Sequence, residues 1–193
     1  ILEAAPGDVV QVASGTYYEH INVDKDDLKI IGESRSTTII DARMENGSNS
    51  AVICITGKKV FLSGFTVRSC PDTNGIAIYS GDTTIIESNV MDNGVGILLF
   101  ANNSQIMKNN IYNNVQGLGI QRDVQNCTIY YNSFFNNTHN VYRQQFSNGV
   151  NVWDNGYAGN FWSNYTSIDM DGDGIGDIPH VIDSNNIDNH PLM

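Results

Sequence analysis

The residues best placed to do chemistry are four aspartates in the stretch DMDGDGIGD, residues 169–177. Asp169, Asp171, Asp173 and Asp177 stand at positions 1, 3, 5 and 9 of a loop in which Gly174 holds position 6 and Ile175 position 7. That is the spacing of an EF-hand-type calcium loop: hard carboxylate oxygens for a hard ion, a glycine for the sharp turn, and a backbone carbonyl at position 7. Position 12 is His180 where a bidentate Glu is usual, and neither flank has helical periodicity. The loop therefore reads as a static structural calcium site, its shell completed by Asp183, Asp188 or water. Four carboxylates this close repel one another without a cation. Sugar chemistry needs a different set. Hydrolysis takes two carboxylates about 5–9.5 Å apart, and lyase chemistry takes a base beside a cation that neutralises a uronate. Glu87, Asp92 and Asp123 are the candidate acids, with Lys108, Arg122 and Arg143 as cations. Whether they meet depends on the elements that carry them.

Those elements repeat. IIESNVMDN (85–93), IMKNNIYNN (106–114) and IYYNSFFNN (129–137) align column by column. Ile85, Ile106 and Ile129 share one column, and Ser88, Asn109 and Asn132 the next. Val90, Ile111 and Phe134 follow, then Asn93, Asn114 and Asn137. A second apolar pair recurs as Ile76/Ile78, Ile97/Leu99 and Leu118/Ile120. From the first column to this pair the step is always 12; from the pair back to the first column it is 7, 7 and then 9, the extra length falling in QRDVQNCT. Apolar runs of three to five alternating residues are strand signals, and a period near 21 leaves no room for crossover helices. A coil with three short strands per turn satisfies this arithmetic, its turns stacking as parallel strands roughly 4.8 Å apart. Asn suits the corners of such a coil. It tolerates the left-handed backbone region, and its amide can bond to the layer above and the layer below.

The earlier chain fits the same coil. GDVVQVASGTYYEHINV makes a first rung; LKIIGE, TTIIDA and AVICI make a second. VFLSGFTV begins a third, with Val60 and Phe65 expected in the Ile85 and Val90 columns, and Ala51 and Ile53 expected beneath Ile76 and Ile78. CPDTN (70–74) then lies in a connection four residues longer than later ones. Arg143 breaks the inward column of Ile78, Leu99 and Ile120. The coil is therefore expected to end near residue 150, with 151–193 folded over it as a cap and Trp153, Phe161 and Trp162 covering the last apolar interior. One domain spans 1–193, with about six rungs.

Outward positions supply a possible ligand face. Tyr79, Phe100, Gln121 and Gln144 each follow an inward pair. Tyr79 and Phe100, one rung apart, are placed to stack on sugar rings, with Arg122 and Asp123 of the longer connection at the same edge. Glu87 and Lys108 are 21 residues apart in one column, which a simple cross-rung ion pair explains.

Composition narrows the partners. The 193 residues carry a net charge of −11, which argues against nucleic acid and suits cation binding. No run approaches the roughly 18 apolar residues of a membrane span, and the opening residues are not expected to be a signal peptide. The opening ILEAAPGDVV, without an initiator Met, reads as a processed or trimmed fragment. Cys54, Cys70 and Cys127 have no metal-binding spacing and read as small buried hydrophobes. Asn46, Asn102, Asn126, Asn136 and Asn164 head glycosylation sequons.

The Asn-rich rungs, together with GDVVQVASGTYYEHINV, LKIIGESRSTTIIDA and the tail GNFWSNYTSIDMDGDGIGDIPHVIDSNNIDNHPLM, resemble NosD-like right-handed parallel β-helix proteins. These are also described as carbohydrate-binding and sugar-hydrolase (CASH) repeat domains and are abundant on archaeal cell surfaces. The resemblance covers essentially the whole chain and implies the fold well. It implies function less well, because the family spans copper-delivery proteins, surface-layer components and polysaccharide-active modules. Polygalacturonase and alginate-epimerase motifs are absent from the sequence. Copper would need soft or imidazole ligands, yet His20, His139, His180 and His190 are scattered, and Met44, Met91, Met107, Met170 and Met193 form no motif. The expectation is an all-β, right-handed parallel β-helix at the cell surface or outside the cell, structural or glycan-binding, with structural calcium. Its partners would be a polysaccharide, neighbouring domains or further copies. A polysaccharide lyase or hydrolase acting on acidic glycans is the alternative, and a periplasmic copper-delivery protein the third reading.

Overall fold

The computed structural model describes residues 3–43, 51–69, 71–143 and 148–193. Met44, Asn46, Cys70 and Gln144 lie outside them. The first turn is β1 (Val9–Val12), β2 (Gly15–Tyr17) and β3 (Ile21–Val23); the second is β4 (Lys29–Gly32), β5 (Thr38–Asp41) and β6 (Ala51–Ile55). The third is β7 (Phe61–Ser63), β8 (Thr66–Arg68) and β9 (Asn74–Ile78); the fourth is β10 (Thr84–Ile86), β11 (Asn89–Met91) and β12 (Val95–Leu99). The fifth is β13 (Gln105–Met107), β14 (Asn110–Tyr112) and β15 (Gln116–Ile120); the sixth is β16 (Thr128–Tyr130), β17 (Ser133–Phe135) and β18 (His139–Arg143). The first, second and third strands of successive turns stack into three parallel sheets. The chain is a right-handed parallel β-helix of six turns. β19 (Phe161–Trp162) extends the second sheet, and β20 (His180–Asp183) pairs with β21 (Asn186–Asp188) as an antiparallel hairpin.

Alternation drives this arrangement, because each short strand turns one or two residues inward. Ile85, Ile106 and Ile129 stack in register, as do Val90, Ile111 and Phe134, and all are fully buried. The pairs Ile76/Ile78, Ile97/Leu99 and Leu118/Ile120 stack as expected. Two assignments shift by two residues. Leu62 and Val67, not Val60 and Phe65, lie beneath Ile85 and Val90. Ile53 and Ile55, not Ala51 and Ile53, lie beneath Ile76 and Ile78. The cause is at the corner. Phe65 takes the ladder position of its turn, its amide donating to Ser88 Oγ at 3.4 Å, and fills the corner with an aromatic ring. Matching apolar residues by type alone slid the register. The connection from Val67 to Ile76 is thus nine residues against seven from Val90 to Ile97, two longer and not four.

The corners divide two tasks between neighbouring residues. The left-handed backbone falls on the residue before each ladder position: Glu87, Lys108 and Tyr131 at the first corner, Asp92, Asn113 and Asn136 at the second, with φ between 51° and 59°. The ladder residues that follow supply hydrogen bonds. Asn109 Oδ1 accepts from Ser88 N, Asn132 Oδ1 accepts from both Asn109 N and Asn109 Nδ2, and Asn109 Nδ2 also donates to Ile85 O. Asn93, Asn114 and Asn137 repeat the pattern at the second corner. Each amide satisfies backbone groups that the sheets leave unpaired where the chain bends.

Candidate functional site

The residues after the sixth turn continue the columns. Asn160 Oδ1 accepts from Asn132 N at 3.0 Å, and Asp188 Oδ2 accepts from Asn160 N at 2.8 Å and from Trp162 Nε1 at 2.9 Å. At the third corner Asn151 Oδ1 accepts from Cys127 N, and Asn186 Oδ1 accepts from Asn151 N and Trp153 Nε1. One short strand, β21, therefore ends two ladders through Asn186 and Asp188, both fully buried. Burial pushes the Asp188 carboxyl above its ordinary value, against the donors from Asn160, Trp162 and His190. Trp162 lies on Phe134 with ring centres 4.6 Å apart, and Trp153 is equally buried. Phe161 differs from expectation. It pairs with the outward Ser133 and is half-exposed, because Asn160 takes the ladder position and leaves Trp162 to face inward. Arg143 sits in the Ile120 column, its guanidinium paired with Asp183 and its Nη2 donating to Gly149 O at 2.7 Å. Buried arginine is tolerable there because the tail supplies the counter-charge.

The aspartate loop closes on itself. Oxygens of Asp169, Asp171 and Asp173 lie within 4.8 Å of one another. Asp169 accepts from Gly172 N at 2.7 Å and Gly174 N at 2.9 Å, bonds that hold its carboxyl below the usual range. Gly174, at position 6, has φ +86°, a conformation costly for any residue with a Cβ. Asp177 Oδ2 accepts from Met170 N, bracing the loop across its base. The loop is anchored by Met193 N to Gly174 O and Gly176 N to Pro191 O. Ile175 forms an antiparallel bridge with Leu192. Asp183 and Asp188, considered above as completing ligands, are committed to Arg143 and to Asn160 and Trp162. His180 is stacked on Trp162 at 4.6 Å, and burial lowers its basicity.

The Tyr79–Phe100 pair is real, but its geometry changes its use. The rings stack on each other, centres 4.4 Å apart and planes 12° from parallel, and each is about 40% exposed. Stacking spends one face of each ring on its neighbour, so the pair presents mainly edges to solvent. Gln121 is half-buried beside it, and Arg122 and Asp123 are exposed in the connection that follows β15. The carboxylate candidates do not converge. Glu87 stands at the corner between β10 and β11, Asp92 between β11 and β12, and Asp123 between β15 and β16, three different corners of the coil. Glu87 and Lys108 are one turn apart, yet among the described residues they form no ion pair within 4 Å.

Sequence reasoning missed an outer cluster on the second sheet. Asp41, fully buried, accepts from Arg43 Nη2 at 2.7 Å and Arg68 Nε at 2.8 Å. Burial alone would raise its carboxyl, but the bonds and charge of Arg43 and Arg68 outweigh that and hold it at about 2. Next in the same outer column come Met91, whose sulfur accepts from Tyr112 Oη at 2.8 Å, and Phe135, stacked on Tyr112 at 4.7 Å. The signal was available: these residues recur at the repeat period, two after each ladder-adjacent position. They were overlooked because the outward columns compared were those beside Tyr79 and Glu87, not those of the second sheet.

Among the described residues outside the aspartate loop, no three His, Cys, Asp or Glu donors converge. His20 Nδ1 is bonded to Ala51 O, His190 Nδ1 to Asp154 Oδ1, and His180 packs on Trp162. The group of three acidic, His or Cys donors that does converge is the aspartate trio, a hard oxygen set suited to calcium and not to copper.

A family model described as periplasmic copper-binding protein (NosD) matches residues 17–167. No curated protein matches the chain. Among solved structures the chain is similar to a pectin methylesterase from carrot at 16% identity and TM-score 0.49, covering 82% of this chain and 54% of that one. It is likewise similar to pectin methylesterase PemA from Erwinia chrysanthemi, at 13% identity and TM-score 0.48, covering 82% and 52%. A third is the pectin methylesterase from Yersinia enterocolitica, at 14% and 0.46, covering 82% and 62%. The chain spans about half the length of the first two, and likeness this distant carries no activity across.

Proposed function

The chain belongs to the NosD family, and on that premise we propose that it is a secreted or periplasmic β-helix module, structural first, whose residues 151–193 form a calcium-stabilised cap. One observation carries this reading: β21 terminates two buried ladders at once, and the aspartate loop is tied to the chain end immediately after it. A cation at Asp169, Asp171, Asp173 and the Ile175 carbonyl, with Asp177 bracing the loop, would fix that tail over the last turn. The family description names the periplasm, and no helix among the described residues is long and apolar enough to cross a membrane. The test is thermal unfolding. Calcium removal by EGTA should lower Tm by about 3–8 °C, and Asp171→Asn should abolish that difference. Identical melting with calcium and with EGTA would end the calcium reading.

Carbohydrate binding is the second reading, favoured by the half-exposed Tyr79–Phe100 edge beside Gln121, Arg122 and Asp123. A glycan array comparing wild type with Tyr79→Ala tests it, and silence on both would leave scaffolding alone. A lyase or hydrolase using Glu87, Asp92 and Asp123 has no support, because they stand on separate corners. Assembly has a physical basis at the other end. The first turn surrounds an apolar hollow of about 650 Å³, lined by Val10, Val12, Tyr17 and Ile21. β1, β2 and β3 are each the outermost strand of their sheet. A neighbouring domain, a further copy or a preceding segment of the same chain would cover that end.

A further inference from the structure

An asparagine followed by glycine can react with its own backbone, because glycine brings its nitrogen to the side-chain amide with no Cβ in the way. The chain has five such pairs, headed by Asn46, Asn74, Asn93, Asn148 and Asn155, and all but the first lie among the described residues. The fold restrains three of these four. Asn93 is a buried ladder amide whose Nδ2 donates to Met91 O at 2.7 Å, and Gly94 N donates to Thr73 O at 2.8 Å. Asn155 is exposed, yet its Oδ1 accepts from Tyr157 N and Ala158 N, and its Nδ2 donates to Tyr131 Oη at 3.0 Å. Gly156 N is held by Asp154 Oδ1 at 2.9 Å. Asn74 and Gly75 open β9, where Gly75 is buried so closely under the fourth turn that a Cβ would meet Gly96 O.

Asn148 has none of these restraints. It is exposed and lies outside the strands, and neither its side chain nor Gly149 N makes a hydrogen bond among the described residues. The next residue is the opposite case. Gly149 is buried, and a Cβ on it would overlap the Val124 carbonyl oxygen. Its own carbonyl accepts from Arg143 Nη2 at 2.7 Å and from Asn186 Nδ2 at 3.1 Å. Arg143 fills the end of the Ile120 column, and Asn186 ends the third-corner ladder. The unrestrained pair therefore adjoins the point where the tail is tied to the sixth turn.

We propose that Asn148 is a self-modification site, which converts to isoaspartate and thereby loosens the tail. Gly149 N forms a bond to Asn148 Cγ as the Cγ–Nδ2 bond breaks. The side-chain nitrogen leaves as ammonia, carrying the proton from Gly149 N. Water then opens the five-membered imide. Opening at the side-chain carbonyl gives ordinary aspartate. Opening at the main-chain carbonyl gives isoaspartate, whose backbone runs through Cγ and is one methylene longer. Water is the sole co-reactant. The added methylene pushes on Gly149, which has no room to shift against Val124 O, so its carbonyl loses its fit to Arg143 and Asn186. The reaction involves neither the aspartate loop nor the Tyr79–Phe100 edge.

The test holds the intact folded protein in warm, mildly alkaline buffer and maps its peptides by mass spectrometry, with fragmentation that tells isoaspartate from aspartate. Isoaspartate should appear at position 148 ahead of positions 74, 93 and 155, whereas the urea-unfolded chain should convert all four at similar rates. Aged protein should melt lower by about 3 °C or more, in proportion to its isoaspartate. Asn148→Gln should pass through the same treatment with its melting unchanged. Asn148→Asp, which has the charge without the extra methylene, should melt within about 1 °C of fresh wild type. No isoaspartate at 148, or equally fast conversion at 74, 93 or 155 in the folded chain, would overturn the proposal. So would isoaspartate at 148 with unaltered melting, or an equal loss in fresh Asn148→Asp.

Discussion

Removing the amide of Asn132 tests the ladder where it is most enclosed. The side chain is fully buried and makes five hydrogen bonds. Its Oδ1 accepts from Asn109 N at 3.0 Å and Asn109 Nδ2 at 3.1 Å. Its Nδ2 donates to Ile106 O at 2.7 Å, Tyr130 O at 3.2 Å and Asn160 Oδ1 at 3.0 Å. In Asn132→Ala the Asn109 N–H loses its acceptor inside the protein, which costs about 1–3 kcal/mol. Asn109 Nδ2 keeps Ile85 O, and Asn160 Oδ1 keeps Asn132 N, so the remaining losses sit at the low end of the roughly 0.5–1.5 kcal/mol range. The total is about 3–5 kcal/mol. Asn132→Asp should be worse still at neutral pH, because it aims a buried carboxylate at three acceptor oxygens. The assay is equilibrium urea unfolding followed by two optical probes, since repeat arrays can lose cooperativity. The exposed Gln105→Ala on β13 should stay within about 0.5 kcal/mol and serves as the reference. If Asn132→Ala matches that reference with an unchanged denaturant slope, the ladder amides are not what satisfies the corners, and the account of the fold fails.

Two further outcomes follow from particular contacts. Asp41 sits at about 2 in the folded protein against an ordinary 3.8. Its contribution is therefore complete above pH ~4 and lost as pH falls through ~2, and it amounts to roughly 2 kcal/mol. Acid titration of stability should show wild type losing that increment relative to Asp41→Asn, and parallel curves would refute the Arg43–Asp41–Arg68 cluster as an ionised unit. Gly64→Ala should destabilise by about 3 kcal/mol or more, since Gly64 has φ +80° and its added methyl would meet Gly32 O. A change below about 1 kcal/mol in urea unfolding would show that the two turns can separate there.

The coil was legible because its signal is periodic and redundant. Ile85, Ile106 and Ile129, or Asn109 and Asn132, recur at a spacing that one geometry alone satisfies, and each confirms the others. The aspartate spacing was equally local, since Asp169, Asp171 and Asp173 converge within one five-residue stretch. Non-periodic information was lost. Phe65 slid the third turn's register because an aromatic side chain at a corner looks like a strand residue until its neighbours are placed. The order in which Glu87, Asp92 and Asp123 occur says nothing about distance around the coil, and folding put each on its own corner. Likewise, no spacing rule pairs Arg35 with Lys108, 73 residues on, or makes β21 the end of two ladders. A repeating sequence fixes position along the axis through backbone pairing. Contacts around the circumference and across several turns arise only when side chains from distant segments are brought to one surface.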